Sequence, residues 1–122
     1  MTEISLLNKI REAGVVGAGG AGFPAFKKLT SKVEHVIANG VECEPLLYKD
    51  REVILQETEK LIAGILIVRE LTGASKATLA IKRKNQDIVE KISSLAKKAK
   101  VDIHISENVY PAGDEYILVY EV

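Results

Sequence analysis

The chain has 122 residues, 47% of them hydrophobic and 28% charged, so it is long enough for one domain with a hydrophobic core. Its 17 basic and 17 acidic residues give a net charge of zero, and Trp is absent, which argues against a nucleic-acid partner. A single cysteine excludes an internal disulfide or an iron–sulfur site built by this chain, and no apolar run approaches the roughly 20 residues of a membrane span. We therefore expect a cytoplasmic protein with no direct membrane insertion.

Hydrophobic periodicity and helix-breaking residues divide the chain into alternating helices and strands. The predicted elements, in chain order, are helix 3–13, the glycine-rich loop 14–23, short helix 24–29, strand 33–38, loop 39–50, helix 50–71, strand 77–81, a helix after Asn85, strand 101–105, a turn-rich loop and an apolar tail 116–122.

Several residues mark the predicted helix boundaries. Thr2 is suited to cap the first helix, and Gly14 is suited to end it. Thr58 is a good N-cap inside the long helical stretch, which predicts a break there, and Gly73 ends that stretch. Asn85 is expected to cap the last helix, whose apolar residues fall on one stripe.

The alternation of strands with helices predicts an α/β fold. We expect three layers, with a mostly parallel sheet flanked by helices on both faces, and a single domain over residues 1–122. The final segment, YILVYEV, is apolar and well patterned, with no polar tail. Such an end is typical of a domain cut from a longer protein, and a short natural protein is the alternative.

The glycine-rich loop has the composition of an anion-binding loop. Gly17-x-Gly19-x-x-Gly22 formally matches the dinucleotide fingerprint, but that fingerprint directly follows a long strand, whereas only Val15 and Val16 precede it here. Glycines let backbone N–H groups face an anion, and the N-terminus of the next helix adds partial positive charge. The alternative is a flexible surface loop, which the Phe-Pro pair at its end disfavours.

Two lysines follow the glycines. Lys27 and Lys28 are predicted to lie in the first turns of the short helix, where the helix dipole disfavours a cation. Pairing with a phosphate would explain their position, and a solvated surface lysine is the alternative for either one.

Acidic residues follow two predicted strand regions. Glu42 and Glu44 come after the first strand, and ligands of open parallel sheets bind beyond the carboxyl ends of strands. Their carboxylates can accept hydrogen bonds from ribose or ribityl hydroxyls and from carboxamides, or they are solvated acids beside an Asn39-Gly40 turn. Asp114 and Glu115 occupy a comparable place, or they are acids at a helix N-terminus.

The remaining reactive side chains are predicted to be structural. Cys43 lies between two glutamates, which disfavour its thiolate, so we expect it to pack rather than to act as a nucleophile. His35 and His104 lie within strand patterns, and neither has a second ligand at a metal-binding spacing.

Three motifs resemble a known family. Residues 17–29 (GAGGAGFPAFKKL), 39–45 (NGVECEP) and 110–115 (YPAGDE) resemble the RnfC-type subunit of the Rnf electron-transport complex. They are also similar to its distant relative, the flavoprotein subunit of respiratory complex I, and to the soluble RnfC-like proteins associated with reductases such as proline reductase. The motifs occur in the family's order and span most of the chain.

The resemblance implies a Rossmann-like domain that binds FMN and receives hydride from NADH. It also implies iron–sulfur clusters in domains absent from this chain, and a redox partner subunit or reductase. The protein would be cytoplasmic, or peripheral to a membrane complex. Two alternatives stay open, namely a flavin-free domain that docks a partner and an ordinary NAD(P)-binding domain.

The resemblance assigns the first group of site residues to the glycine loop and the helix after it. Lys28 would contact the flavin phosphate or ring, and Phe23 occupies the aromatic position that faces the NADH adenine. The residues implied to hold the phosphate region of FMN are Gly17, Gly19, Gly20 and Gly22.

The resemblance assigns the second group to two acidic loops. Asn39, Glu42 and Glu44 match the loop near the flavin and the nicotinamide, and Asp114 and Glu115 match an acidic pair that closes the site. The segment Lys49-Asp50-Arg51 matches a helix start in the complex I relative.

The chain departs from the complex I pattern at three positions. Ala18 stands where a basic residue is frequent, Val41 stands where an acid is expected, and Ser31 lies near the place of a second adenine-stacking aromatic. The NADH site is therefore less fully matched than the flavin site.

Overall fold

The computed structural model describes residues 2–17, 21–41, 49–106, 119 and 122. Its three strands are β1 (His35–Gly40), β2 (Lys76–Lys82) and β3 (Asp102–Ser106). They form one sheet in the order β1-β2-β3, and both neighbouring pairs are parallel. The predicted α/β fold with a parallel sheet flanked by helices is therefore confirmed.

Five α-helices lie in the described ranges, and their bounds agree closely with the sequence pattern. They are α1 (Glu3–Glu12), α2 (Ala25–Leu29), α3 (Lys49–Gln56), α4 (Thr58–Thr72) and α5 (Asp87–Lys98), with a 3₁₀ turn at Arg83–Asn85. Within those ranges, no helix combines the length and the apolar character needed to cross a bilayer.

Local capping explains where α1 and α4 end. The Thr2 hydroxyl oxygen accepts a hydrogen bond from the Ser5 N–H at 3.1 Å, as expected of an N-cap. Gly14 follows α1 with φ +68°, and Gly73 follows α4 with φ +70°, a left-handed conformation that favours glycine. These three predicted boundaries are confirmed.

Two predicted caps are wrong. Asn85 lies in the 3₁₀ turn and its side-chain oxygen accepts a hydrogen bond from Arg51, so it is engaged away from the helix that it was expected to cap. The predicted break falls at Glu57, but the Thr58 hydroxyl donates to the Ile54 carbonyl, one turn back. Thr58 therefore completes the end of α3, since its hydroxyl satisfies a carbonyl that has no helical donor.

Strand β1 begins and ends two residues later than predicted. The Val33 N–H donates to the Thr72 carbonyl at 3.1 Å, so this part of the chain is tied to the end of α4 before the ladder begins. The ladder then extends to Asn39 and Gly40, which pair with Ala80 and Ile81. Asn39-Gly40 is therefore the end of a strand, and the alternative of a turn is wrong.

The main core lies on one face of the sheet. Alternate strand residues point into it, and they meet the apolar stripes of α3, α4 and α5. Its most buried members are Ile54, Ile62, Ile65, Ala77, Leu79, Ile81, Ile88, Ile92 and Ala96. The predicted stripe on α5 is confirmed as the face that packs on the sheet.

The strand order explains why these three helices share a face. The chain steps from β1 to β2 to β3 in one direction, and right-handed crossovers that step in one direction place their helices on the same side. On the opposite face, Ala80 and Val41 pack with Ile37 and Val122 in a smaller apolar cluster.

An ion pair joins the start of α3 to the start of α5. The Arg51 guanidinium donates to both carboxylate oxygens of Asp87, at 2.8 and 2.6 Å, and also to the Asn85 side-chain oxygen at 3.1 Å. The hydrogen bond from Arg51 lowers the pKa of Asp87 from its ordinary 3.8 to about 2. Both side chains reach solvent, so the pair aligns the two helices more than it stabilises them.

We predict opposite effects for two glycine-to-alanine substitutions. A Cβ at Gly40 would lie 2.8 Å from the Ala80 carbonyl oxygen and 3.0 Å from Ile54, whereas a Cβ at Gly64, within α4, meets nothing within 4 Å. Gly40→Ala should lower the free energy of unfolding by about 1–3 kcal/mol, as overpacking does. Gly64→Ala should raise it by about 0.5–1 kcal/mol, because glycine is unfavourable inside a helix. Urea titrations of both variants check this, and equal stabilities would contradict the close approach at Gly40.

The Arg51–Asp87 pair predicts an acid-dependent loss of stability. Because the pKa of Asp87 is lower in the folded chain, its contribution is present above the ordinary carboxyl pKa and is lost as pH falls towards about 2. The urea midpoint of Asp87→Asn should therefore lie below that of the unmodified chain at pH 7, and the two should converge near pH 2. Glu90→Gln, an exposed acid on the same helix, is the control. A difference that persists unchanged at pH 2 would contradict the assignment.

Candidate functional site

The two ends of the glycine-rich loop are tied together by backbone hydrogen bonds. Val16 and Pro24 form an isolated antiparallel bridge. The Gly17 N–H donates to the Phe23 carbonyl at 2.8 Å, and the Ala25 N–H donates to the Val15 carbonyl at 3.0 Å. We call residues 15–17 and 23–25 the loop neck. The neck fixes where the loop starts and where the chain enters α2.

The two described fingerprint glycines have different physical roles. Gly22 has φ +64°, which an L side chain rarely adopts, so this position requires glycine. Gly17 has an ordinary backbone conformation, and a Cβ there would make only a van der Waals contact at 3.8 Å with the Phe23 carbonyl oxygen. Gly17 therefore serves the neck through its N–H. Gly19 and Gly20 lie outside the described residues.

The lysines of α2 do not oppose the helix dipole as the sequence pattern predicts. The helix has five residues, and Lys27 and Lys28 lie in its last turn, where a cation is favoured. Pro24 precedes the helix as its N-cap, one position earlier than predicted. The Lys28 ammonium lies 5.6 Å from the centroid of the Phe23 ring, within the range of a cation–π contact, and Phe23 is 46% exposed.

The carboxyl ends of the three strands meet at one edge of the sheet, which we call the strand-end edge. Gly40 is paired with Ile81, and Lys82 is paired with Ser106. The Asn39 side-chain oxygen accepts a hydrogen bond from the Val41 N–H at 3.1 Å and so fixes the chain as it leaves β1. The predicted acidic residues that follow in the sequence lie outside the described residues: Glu42, Glu44, Asp114 and Glu115.

The strand-end edge contains polar residues that sequence reasoning did not single out. Lys82 is only 6% exposed although it carries a charge, and Ser106 beside it is buried. A buried ammonium requires a compensating interaction, and both residues take part in one. A lysine that ends a fully apolar strand, as in TLAIK, is the signal that could have identified this position.

A depression of about 410 Å³ lies where β2 continues into α5, and it was also not predicted. Its cationic lining comes from Arg51, Arg83 and Lys84. The dipeptide Arg83-Lys84, directly after a buried strand, was the available signal. Because Arg51 is engaged with Asp87, the lining is an ion-paired surface of mixed charge.

The two histidines lie in the sheet. His35 Nε2 is 2.7 Å from the Thr78 hydroxyl on the neighbouring strand. Burial lowers the pKa of His35, and the nearby Lys76 lowers it further, so its neutral form is favoured. Among the described residues, no group of His, Cys, Asp and Glu is arranged to hold a metal ion.

The described site residues therefore form two groups. Gly17, Gly22, Phe23 and Lys28 lie together at the loop neck and the adjoining helix, and Asn39 lies at the strand-end edge. The first group combines a glycine-dependent loop, an exposed aromatic ring and a cation. These are the features expected of a site for a phosphate attached to a flat ring system.

Comparison with known proteins agrees with this geometry. Residues 10–122 match the family model described as the Nuo51 FMN-binding domain. The chain is 40% identical over 116 residues to cobalamin reductase PduS of Citrobacter freundii, covering 95% of this chain and 26% of that protein. It is 36% identical over 118 residues to an RnfC-type component of the proton-translocating ferredoxin:NAD(+) oxidoreductase complex of Clostridium ljungdahlii, covering 93% and 26%.

A solved structure shows the same fold. A chain of NAD+-reducing [NiFe]-hydrogenase in the air-oxidized state superimposes with a TM-score of 0.79 at 28% identity, covering 97% of this chain and 23% of that one. This chain thus spans about a quarter of the length of these relatives. The resemblance to RnfC-type subunits and to the complex I flavoprotein is confirmed, and the chain belongs to the Nuo51 FMN-binding domain family.

Proposed function

We propose that this chain is the flavin- and NADH-binding domain of an electron-transfer oxidoreductase. The observation that carries the proposal is the family match over residues 10–122, together with the closed loop neck and Lys28 beside it. When bound, FMN would accept hydride from NADH and release electrons one at a time to iron–sulfur clusters in other domains or in a partner subunit. The residues of this chain would bind, orient and surround it.

The glycine-rich loop would hold the FMN phosphate. The neck uses the Gly17 N–H, so the donors left for the phosphate are the N–H groups further along the loop, at Gly19, Gly20 and Gly22. The left-handed conformation at Gly22 turns the chain back towards the neck, which is how such loops aim successive N–H groups at one anion. Gly17 thus shapes the loop, and the later glycines bind.

Lys28 would supply the positive charge for the phosphate. Its ammonium stands over the Phe23 ring at the entrance to α2, next to the loop that carries the donors. A charge-assisted contact to a phosphate is about twice as strong as a neutral hydrogen bond.

The strand-end edge would hold the rest of the cofactors. Asn39 fixes the exit from β1, and Glu42 and Glu44 follow it within five residues. Their carboxylates would accept hydrogen bonds from ribityl hydroxyls and from the nicotinamide carboxamide, with Asp114 and Glu115 closing the site. None of these residues needs to act as a general acid or base, because the cofactors carry out the redox step.

A second candidate is a flavin-free domain that docks a partner protein. The observation in its favour is the exposure of apolar side chains around the loop neck, at Val15, Val16 and Phe23, and of Ile4 on α1. Ala18 and Ser31, which replace residues of the complex I pattern, also favour it. An ordinary NAD(P)-binding domain is disfavoured, because the glycine loop follows helix α1 and a single bridge residue.

The flavin proposal predicts saturable binding of FMN that depends on charge at two positions. Lys28→Ala should weaken FMN binding about tenfold, the loss expected for one charge-assisted contact to phosphate. Glu42→Gln should weaken it through the ribityl hydroxyls, and Lys27→Ala, an exposed neighbour on the same helix, is the control. Quenching of flavin fluorescence measures the dissociation constants. Absence of saturable binding at tens of micromolar would favour the docking domain.

The nicotinamide proposal predicts reduction of bound flavin by NADH. We expect NADH to bleach the visible absorption of the FMN-loaded chain in the absence of oxygen. Glu44→Gln should slow this reduction more than it weakens FMN binding, because Glu44 is assigned to the nicotinamide side. Stopped-flow absorbance measures the rate, with dithionite reduction as the control for flavin occupancy. Flavin that dithionite reduces and NADH does not would contradict NADH as the donor.

A further inference from the structure

The contact between Lys28 and Phe23 links two residues that the proposed function assigns to different cofactors. Phe23 was assigned to the NADH adenine and Lys28 to the FMN phosphate. In the structure the Lys28 ammonium stands 5.6 Å from the Phe23 ring centroid, and it is the single cation–ring contact among the described residues. The ring therefore has a neighbour that belongs to the flavin site.

The Phe23 ring is held by the loop neck. Its own carbonyl accepts the Gly17 N–H at 2.8 Å, and the next residue, Pro24, bridges to Val16 with φ fixed at −63°. The backbone that carries the ring is therefore tied on both sides. A phenylalanine side chain has only two torsions, so little further freedom is left to the ring.

A lysine at the same place would otherwise be poorly positioned. Lys28 is exposed near the end of a five-residue helix, and its side chain has four freely rotating torsions. Freezing such a side chain on ligand binding has a substantial entropic cost. A ring that attracts the ammonium over the entrance to the helix removes part of that cost before the ligand arrives.

We propose that Phe23 is a positioning residue for FMN, acting through Lys28: the ring holds the ammonium beside the glycine loop so that it meets the flavin phosphate. This inference rests on the proposed function, since it assumes that the loop binds FMN. It gives Phe23 a role when no NADH is present. It also predicts that the role depends on the phosphate and on the aromatic ring.

The test compares FMN with riboflavin, which has the same ring system but no phosphate. In Phe23→Leu, FMN should bind about two- to fivefold more weakly, the range for an exposed cation–π contact, and riboflavin should bind as before. Phe23→Tyr, which keeps the ring, should bind FMN as the unmodified chain does. Phe23→Leu should add no further loss to Lys28→Met, because the ring then has no cation to position. Lys27→Met is the charge control.

A second measurement needs no ligand. The ring current of Phe23 should shift the NMR signal of the Lys28 ε-methylene upfield, and Phe23→Leu should abolish the shift. The normal position of the signal in the unmodified chain would overturn the inference.

The outcomes separate this inference from the proposed function. If FMN binds, and Phe23→Leu weakens riboflavin equally, leaves FMN unchanged or tightens it, the positioning role is wrong and the flavin site stands. If the ring-current shift is present but neither FMN nor inorganic phosphate binds, the proposed function fails and the positioning role fails with it. A phosphate-dependent loss that tyrosine rescues supports both.

Discussion

The burial of β2 is the constraint on which the rest of the structure depends. A strand paired on both sides with parallel neighbours must be reached and left through crossovers, and its apolar side chains must be covered. Helices α3, α4 and α5 meet both requirements at once, because they are the crossovers and they supply the core. The same constraint brings the carboxyl ends of all three strands to one edge. The acidic loop begins after β1 at that edge.

Much of the fold was predictable because burial and backbone conformation leave strong signals in the sequence. The stripe on α5 and the left-handed glycines at 14 and 73 depend only on local chemistry, and the structure has them as expected. The misplaced caps have a different cause. Asn85 and Thr58 are good capping residues, but Asn85 is engaged by Arg51, 34 positions earlier, and Thr58 by the preceding helix. Local propensity cannot reveal a long-range partner.

The candidate site was predictable as a set of residues but less so as a geometry. The motifs identified the glycines, the ring, the lysine and Asn39, and the family match supports that set as a group. They did not indicate that the Gly17 N–H is used within the loop, that Gly40 faces the Ala80 carbonyl across the ladder, or that Lys82 is buried. Each of these depends on how two distant segments approach one another. A spacing pattern does not contain that information.

Stability and ligand binding reside in different parts of this chain. The residues of the main core are nearly all apolar and buried, and the proposed ligand-binding side chains are absent from it. Phe23 and Lys28 are exposed, and the backbone beneath them is tied by the loop neck. Because the neck uses main-chain atoms, exposed side chains on it can change with little cost to folding. This separation explains how relatives at 30–40% identity can keep one fold while their printed activities differ, since binding is carried by a few side chains on a backbone that folding already fixes.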